Sequence, residues 1–323
     1  MQRGADMKKI FIKDIKEKDK VEDIFIVSKK EQGMSKSGKP YLNLKLMDST
    51  GEIEARVWED ADNLSKLFEK DNLIFVKAYA VLYQGGVQLN VSHIEKKELG
   101  DSDIALFLPS SQNDISKMFE ELKEIINSEI KGINLKKLLH LFTSDPEIVK
   151  LLKLAPAAKS MHHTYIGGLI EHTLSLVKLA MDAAKHYPNI NRDILLAGAI
   201  LHDIGKIYEL SFQRTFDYTD EGRLLGHITI GVEMVDKKIR EISNFPKETA
   251  MLLKHIILSH HGYLEFGSPK RPKTLEAIML YYLDDMDSKI QSMSAHIEKE
   301  RDTDSKWTSF HKLYERYIYK GIP

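Results

Sequence analysis

Residues 194 to 206 read ILLAGAILHDIGK. Eight apolar or small residues run straight into His202 and Asp203, then into Gly205 and Lys206. The run is apolar nearly all round, which marks a central buried helix rather than a surface one. An unpaired carboxylate at the end of such a helix is costly, so Asp203 needs either a cationic partner, for which Lys206 is within reach, or a metal ion. His202 and Asp203 leave the helix axis about 100° apart, and a cation lying between the two directions can take both side chains.

Moving outward, other ionisable residues gather on the same side of the sequence. Of 13 histidines, ten fall between His140 and His261, and His93 is the one in the first hundred residues. In HHTYIGGLIEHTLSLVKLA, Leu169, His172, Leu176 and Leu179 share one apolar helix face, so His172 points inward with the leucines. Downstream come LLGHITIG with His227, and LKHIILSHHGYLEFGSP with His255, His260 and His261. In EAIMLYYLDDMDSKI, Ala277, Leu280, Tyr281 and Asp284 share a face, which makes Asp284 the expected inward carboxylate and Asp287, one turn on, the alternative. Cysteine is absent, so disulfides and thiolate sites are excluded and any metal is held by nitrogen and oxygen.

The 323 residues suffice for two domains, and 42% hydrophobic with 29% charged residues is the composition of a soluble globular protein. No apolar run reaches the roughly 18 residues of a membrane span, and the first twenty residues lack a signal peptide's apolar core, so a cytoplasmic protein is expected. Met7, followed by KKIFIKD, reads as a natural start. The chain holds 47 Lys+Arg and 48 Asp+Glu; the first hundred residues hold 18 and 17 of these, leaving 29 and 31 for the rest. With no global basic footprint, a nucleic-acid role has to rest on local patches.

Residues 1 to 100 show the period-2 pattern and turn punctuation of short strands. Strands are expected at VEDIFIVSKK, YLNLKLMD, EIEARVW, LIFVKAYAVLY and VQLNVSHIE, with a short helix near ADNLSKLFE. Five strands with a helix between the third and fourth is the order of an OB-fold barrel. The loop between the first two strands is expected to carry Lys29, Lys30, Lys36 and Lys39, with Tyr41, Trp58 and Tyr83 on or beside the strands. Lysines along a backbone and aromatics under the bases are how such barrels hold single strands, although solvated loop lysines and a core tryptophan would look the same in sequence. A polar linker follows at residues 101 to 115, and residues 116 to 323 read as all-helical. The tail, residues 288 to 323, is charged and aromatic, and packs either on the helical domain or on another subunit.

The order His172, His202-Asp203, Asp284 resembles the H…HD…D signature of the HD-domain phosphohydrolases. His227 and the SHHG pair resemble the subset of that family that holds two metal ions. The whole set, HHTYIGGLIEHT, LHDIGK, LLGHI, SHHG with GSPKRP, and LDDMDSK after an OB-fold, looks like the YhaM-type 3′-5′ exoribonucleases of Gram-positive bacteria, over essentially Met7 to the end. A lone His-Asp dipeptide would carry little; the ordered set is specific.

The resemblance implies an N-terminal all-β OB-fold barrel followed by an all-α HD domain, and cleavage of single-stranded RNA from its 3′ end to nucleoside 5′-monophosphates, with single-stranded DNA and homo-oligomers left open. It implies one divalent metal held by His172, His202, Asp203 and Asp284, and a second that shares Asp203 and adds His227 with His260 or His261. It favours manganese, while the donor set equally admits iron, magnesium or zinc. Lys206 is implied as a catalytic cation at a phosphate oxygen, and His163 as a group that orients the site or contacts the scissile phosphate. Two other readings compete. One is an HD-type phosphohydrolase of nucleotides or cyclic dinucleotides, for which the barrel has no evident use; the other is a non-catalytic single-strand DNA-binding protein, which has no need of a costly buried ligand set.

Overall fold

The computed structural model describes all residues except 1–7, 36–37, 84, 99–105, 159–164, 213–215, 302 and 322–323. Lys36 and His163 therefore lie outside the described residues. The chain divides into two compact units, residues 1–110 with 211–217, and residues 111–210 with 218–323.

The first unit is a closed barrel of β1 (Lys20–Met34), β2 (Pro40–Asp48), β3 (Gly51–Val57), β4 (Leu73–Tyr83) and β5 (Gly86–Lys97), with the short α1 (Ala61–Ser65) between β3 and β4. Its order around the barrel is β1-β2-β3-β5-β4, closed by the antiparallel β1–β4 pair, and the β3–β5 pair is parallel. Alternation explains the register: Leu42, Leu44 and Leu46 pair with Val57, Ala55 and Ile53, and all six point into the core. A one-residue slip would turn that whole set to solvent. This is the barrel expected from the strand order.

Two buried carboxylates tie the segment before β1 to the barrel. Asp23 accepts from the backbone amides of Lys9 (2.7 Å) and Ile10 (2.6 Å), and Asp48 accepts from the amide of Ile12 at 2.8 Å. The buried Lys8 ammonium lies 3.3 Å from Asp48 and donates to the Ile24 carbonyl at 2.9 Å. At the other end of the unit, Phe107 and Leu108 are fully buried and the Ser49 amide donates to Leu106. Residues 106–110 are thus packed chain, where a polar tether was expected; the apolar Leu106, Phe107 and Leu108 outweigh the serines that follow.

The second unit is helical: α2 (Ile115–Glu129), α3 (Ile133–Ser144), α4 (Pro146–Leu154), α5 (Gly168–His186), α6 (Arg192–Leu201), α7 (Lys206–Glu209), α8 (Asp220–Arg240), α9 (Lys247–Ser259) and α10 (Leu275–Lys299). Side chains cap the starts: Asp114 accepts from Lys117, Asn191 from Ile194, Thr219 from Gly222 and Thr274 from Ala277, each satisfying an otherwise orphan amide. All of Ile194 to Leu201 in α6 is buried, and α6 packs against α5, α9 and α10, so the opening stretch is the central helix its composition predicts. Among the described residues of regular structure, the stretch expected to be all-helical is interrupted once, by the two-residue strands β6 (Leu210–Ser211) and β7 (Asp217–Tyr218) at the two ends of 211–217. The tail folds back on the end of α10, where Ser309 donates from its amide to Glu300 at 2.7 Å and accepts from His296 at 3.1 Å. Trp307 and Phe310 nevertheless stay about half exposed, at 53% and 45%. Among the described residues no helix is long and apolar enough to cross a membrane.

Candidate metal centre and strand-binding surface

The ends of helices bring the histidines together. His202 caps α6 with its amide still bonded to Gly198 at 2.8 Å, so His202 and Asp203 leave the end of the buried helix side by side. His260 is the C-terminal cap of α9, and His261 follows it. His227 stands one residue beyond Gly226, whose φ of 74° breaks α8; that left-handed geometry is cheap only for glycine, and it starts a new helical run at His227. His172 comes from α5, while Asp284 and Asp287 come from α10.

Asp203 lies at the centre, and its two oxygens face opposite ways. Oδ2 is 3.2 Å from His202 Nε2 and 3.9 Å from His172 Nε2, whereas Oδ1 is 3.4 Å from His227 Nε2 and 3.5 Å from His260 Nε2. Asp284 joins the first side, with Oδ1 3.1 Å from His172 Nε2 and 3.9 Å from His202 Nε2. Two groups of donor atoms result, His172 with His202 and Asp203, and His227 with His260 and His261, each within 4.8 Å.

Every one of the five imidazoles is anchored through Nδ1. His202 donates to the Ala199 carbonyl (2.9 Å), His260 to Ile257 (2.8 Å) and His261 to Phe266 (2.8 Å). A carbonyl can only accept, so the proton sits on Nδ1 and the Nε2 lone pair faces the interior. His172 Nδ1 meets Asp287 at 2.9 Å, and His227 Nδ1 meets Glu209 at 3.0 Å. Buried His202 Nε2, His227 Nε2, His260 Nε2 and Asp203 Oδ1 have no hydrogen-bond partner among the described residues. Lone pairs converging on a carboxylate repel unless a cation lies between them, so the donor set fits a divalent metal.

Charge points the same way. Burial alone would raise the Asp203 carboxyl, but the Lys206 ammonium, 2.6 Å away, holds it well below the usual carboxylate range. Burial is likewise overridden at Asp284 by His172, and at Lys206, which Asp203 raises. Burial would push His172 down, yet Asp284 and Asp287 lift it to about 9. His227 and His260 are depressed by burial. Asp203, Asp284, Asp287 and Glu209 together face Lys206 and His172, the one imidazole held cationic, so the four carboxylates still outnumber the two cations. Buried charge of that size calls for cations.

A cavity of about 360 Å³ opens onto His172, Asp203, His260 and Asp284, and its rim carries Lys206, Phe266 and Tyr281. Phe266 is 66% exposed. Tyr281 was placed by the sequence on the Asp284 face without a role, while Phe266 and Glu209 escaped it: Glu209 meets His227 across 18 residues, a separation that no short motif encodes. Asp287, taken there as an alternative inward carboxylate, sits behind the His172 ring on its Nδ1 side, where Ser175 also donates to it at 2.8 Å.

On the barrel, Tyr41 and Trp58 lie with ring centroids 5.0 Å apart, and Trp58 and Tyr83 are 50% and 55% exposed, so Trp58 is not core. Lys39 is exposed beside a cavity of about 720 Å³ that Trp58 also lines. Two lysines are placed differently from the expectation. Lys29 and Lys30 are inside β1 and not in the loop, because β1 continues to Met34 past a bulge after Val27. Lys30 is also committed, donating to the Ser65 (2.8 Å) and Phe68 (2.6 Å) carbonyls at the end of α1. Lys29 pairs with Glu31 at 2.9 Å in solvent.

Residues 169–289 match the HD domain, and residues 25–96 match the OB-fold nucleic acid binding domain. The 3′-5′ exoribonuclease YhaM of Bacillus subtilis (strain 168) is 34% identical over 282 residues, which covers 87% of this chain and 88% of that protein. Among solved structures, the mitochondrial single-stranded DNA binding protein Rim1 of S. cerevisiae is 18% identical and covers 26% of this chain and 99% of its own, with a TM-score of 0.24. The HD domain of the L. monocytogenes phosphodiesterase PgpH is 20% identical and covers 47% of this chain and 79% of its own, with a TM-score of 0.31. With the HD match falling on the histidine–aspartate cluster, the barrel match on the five strands, and one-third identity sustained over most of both sequences, the chain belongs to the family of the 3′-5′ exoribonuclease YhaM.

Proposed function

We propose that this chain is a metal-dependent 3′-5′ exoribonuclease that hydrolyses single-stranded RNA in the cytoplasm to nucleoside 5′-monophosphates. The observation that carries the reading is Asp203, one carboxylate whose two oxygens face two separate histidine clusters. His172, His202, Asp203 and Asp284 would hold one divalent ion, and Asp203, His227, His260 and His261 the other. Manganese is our first assignment for a site of nitrogen and oxygen donors, with iron, magnesium and zinc as competitors. When bound, two such ions supply an activated water and neutralise phosphate charge.

The chain's own residues do the rest. Lys206, at the cavity rim, offers its ammonium to a phosphate oxygen as negative charge develops there. Phe266 and Tyr281 flank the entrance, where the terminal base can stack. Tyr41, Trp58 and Tyr83, with Lys39, give the barrel a stacking platform that keeps a flexible strand near the site between cleavages.

The test is a metal-stripped protein incubated with 5′-labelled single-stranded RNA and manganese, magnesium or no ion, beside Asp203→Ala. A ladder shortening from the 3′ end, dependent on metal and lost in the variant, is the expected result. Intact RNA with every ion, from protein shown to bind metal, would replace this reading with a nucleotide phosphohydrolase, and a nucleotide screen would follow.

A further inference from the structure

The five histidines are not backed alike. Three of them, His202, His260 and His261, donate to backbone carbonyls within five residues of themselves. The other two are backed by buried carboxylates from remote parts of the chain: His172 by Asp287, 115 residues away, and His227 by Glu209, 18 residues away. One carboxylate-backed imidazole falls in each donor group. A carbonyl orients a ring and fixes its tautomer. A carboxylate does both and also pushes electron density through the ring, which makes Nε2 a stronger donor.

Burying a carboxylate is expensive, and the fold provides for Glu209 specifically. Glu209 is 8% exposed, and its Oε1 accepts from both the backbone amide of His227 (2.9 Å) and Nδ1 of the same residue (3.0 Å). The amide is free to donate because the α8 break at Gly226 removes it from the helix ladder. Glu209 thereby locks the backbone and the ring of one residue together. Asp287 is 5% exposed and is held at its second oxygen by Ser175, so its hold on His172 is equally directed.

We infer that Glu209 and Asp287 are paired positioning residues, one for each metal position, with Glu209 setting the affinity of the ion at His227 and Asp287 that of the ion at His172. The inference rests on the two-ion reading above. It adds that the two ions can be weakened independently from behind, without touching a ligand.

The test uses full-length, RNA-free protein titrated with Mn²⁺, following free Mn²⁺ by electron paramagnetic resonance, with thermal melts as a control for folding. The wild type should take two ions. Glu209→Gln, nearly the same shape, should weaken one by roughly 10–100-fold and leave the other within about twofold; Asp287→Asn should do the converse. Glu209→Gln should have no further effect on the ion that remains in His227→Ala, yet still act in His172→Ala, a pattern that general loosening of the fold would not give. Two wild-type ions with both affinities unchanged in Glu209→Gln, or both weakened equally, would overturn the inference alone. A wild type that takes one ion or none would overturn the two-ion reading and the inference with it.

Discussion

At the scale of single residues, Lys206 is the side chain whose replacement separates two effects. Its ammonium sits 2.6 Å from Asp203 Oδ2, the carboxylate that we propose bridges the ions, so it would compete with them for it. Lys206→Met should therefore tighten divalent-ion binding while lowering kcat by roughly 100-fold, since the ammonium proposed to meet the developing phosphate charge is lost. Calorimetric titration with Mn²⁺ beside single-turnover hydrolysis measures both, and weaker binding would show that Lys206 supports the ions instead. Lys8 is the counterpart in the barrel: Lys8→Met leaves Asp48 buried without its ammonium and should cost roughly 3 kcal/mol in barrel stability, read from a urea melt followed by near-ultraviolet circular dichroism. The two lysines differ in how far sequence reveals them. Lys206 follows His202-Asp203 within one turn and was legible as a partner of the aspartate, whereas the match of Lys8 to Asp48 depends on barrel closure 40 residues on.

At the scale of elements, helix ends do the positioning. His202 and His260 both close a helix, and each anchors its Nδ1 to a carbonyl three residues back, so the position of the helix sets the aim of the ring. Gly205 shows how tightly α7 and α8 must meet for this: a Cβ there would lie 2.0 Å from the His227 carbonyl oxygen and 2.7 Å from the Gly231 amide, both backbone atoms that cannot swing aside. Gly205→Ala should lower stability by about 1–3 kcal/mol and displace His227, and a thermal melt with an Mn²⁺ titration should show both losses. Periodicity made α5 and α10 readable, because their apolar faces repeat with the helix, and α6 was readable from its unbroken apolar run. It could not give the break at Gly226, the carboxylate behind His227 or the true length of β1. These depend on remote neighbours: Glu209 meets His227 from 18 residues away, and β1 runs on to Met34 because Glu31 to Met34 pair with β2.

For the whole molecule, the proposed ligand set draws on α5, α6, α8, α9 and α10, so divalent ions bound there should act as staples of the second unit. At 100 times Kd a bound ion adds about 2.7 kcal/mol, and stripping the metal should lower the Tm of that unit reversibly while leaving the barrel transition in place. Calorimetry with and without chelator distinguishes this from ions bound loosely at the surface, which would shift neither. The barrel carries the converse prediction. Trp58→Ala combined with Tyr83→Ala should weaken binding of a long single strand by roughly 2–6 kcal/mol, at 1–3 per stacked base, and leave hydrolysis of a small model diester unchanged. Equal loss on both substrates would remove the division of labour between strand holding and cleavage. The separation of His172 from Asp287 by 115 residues also has a consequence during synthesis. At about 5–20 residues per second, roughly ten seconds pass between the first of these groups leaving the ribosome and the last. Throughout that interval the growing chain holds an incomplete set of donors, so the proposed centre is not assembled on it until α10 has left the ribosome.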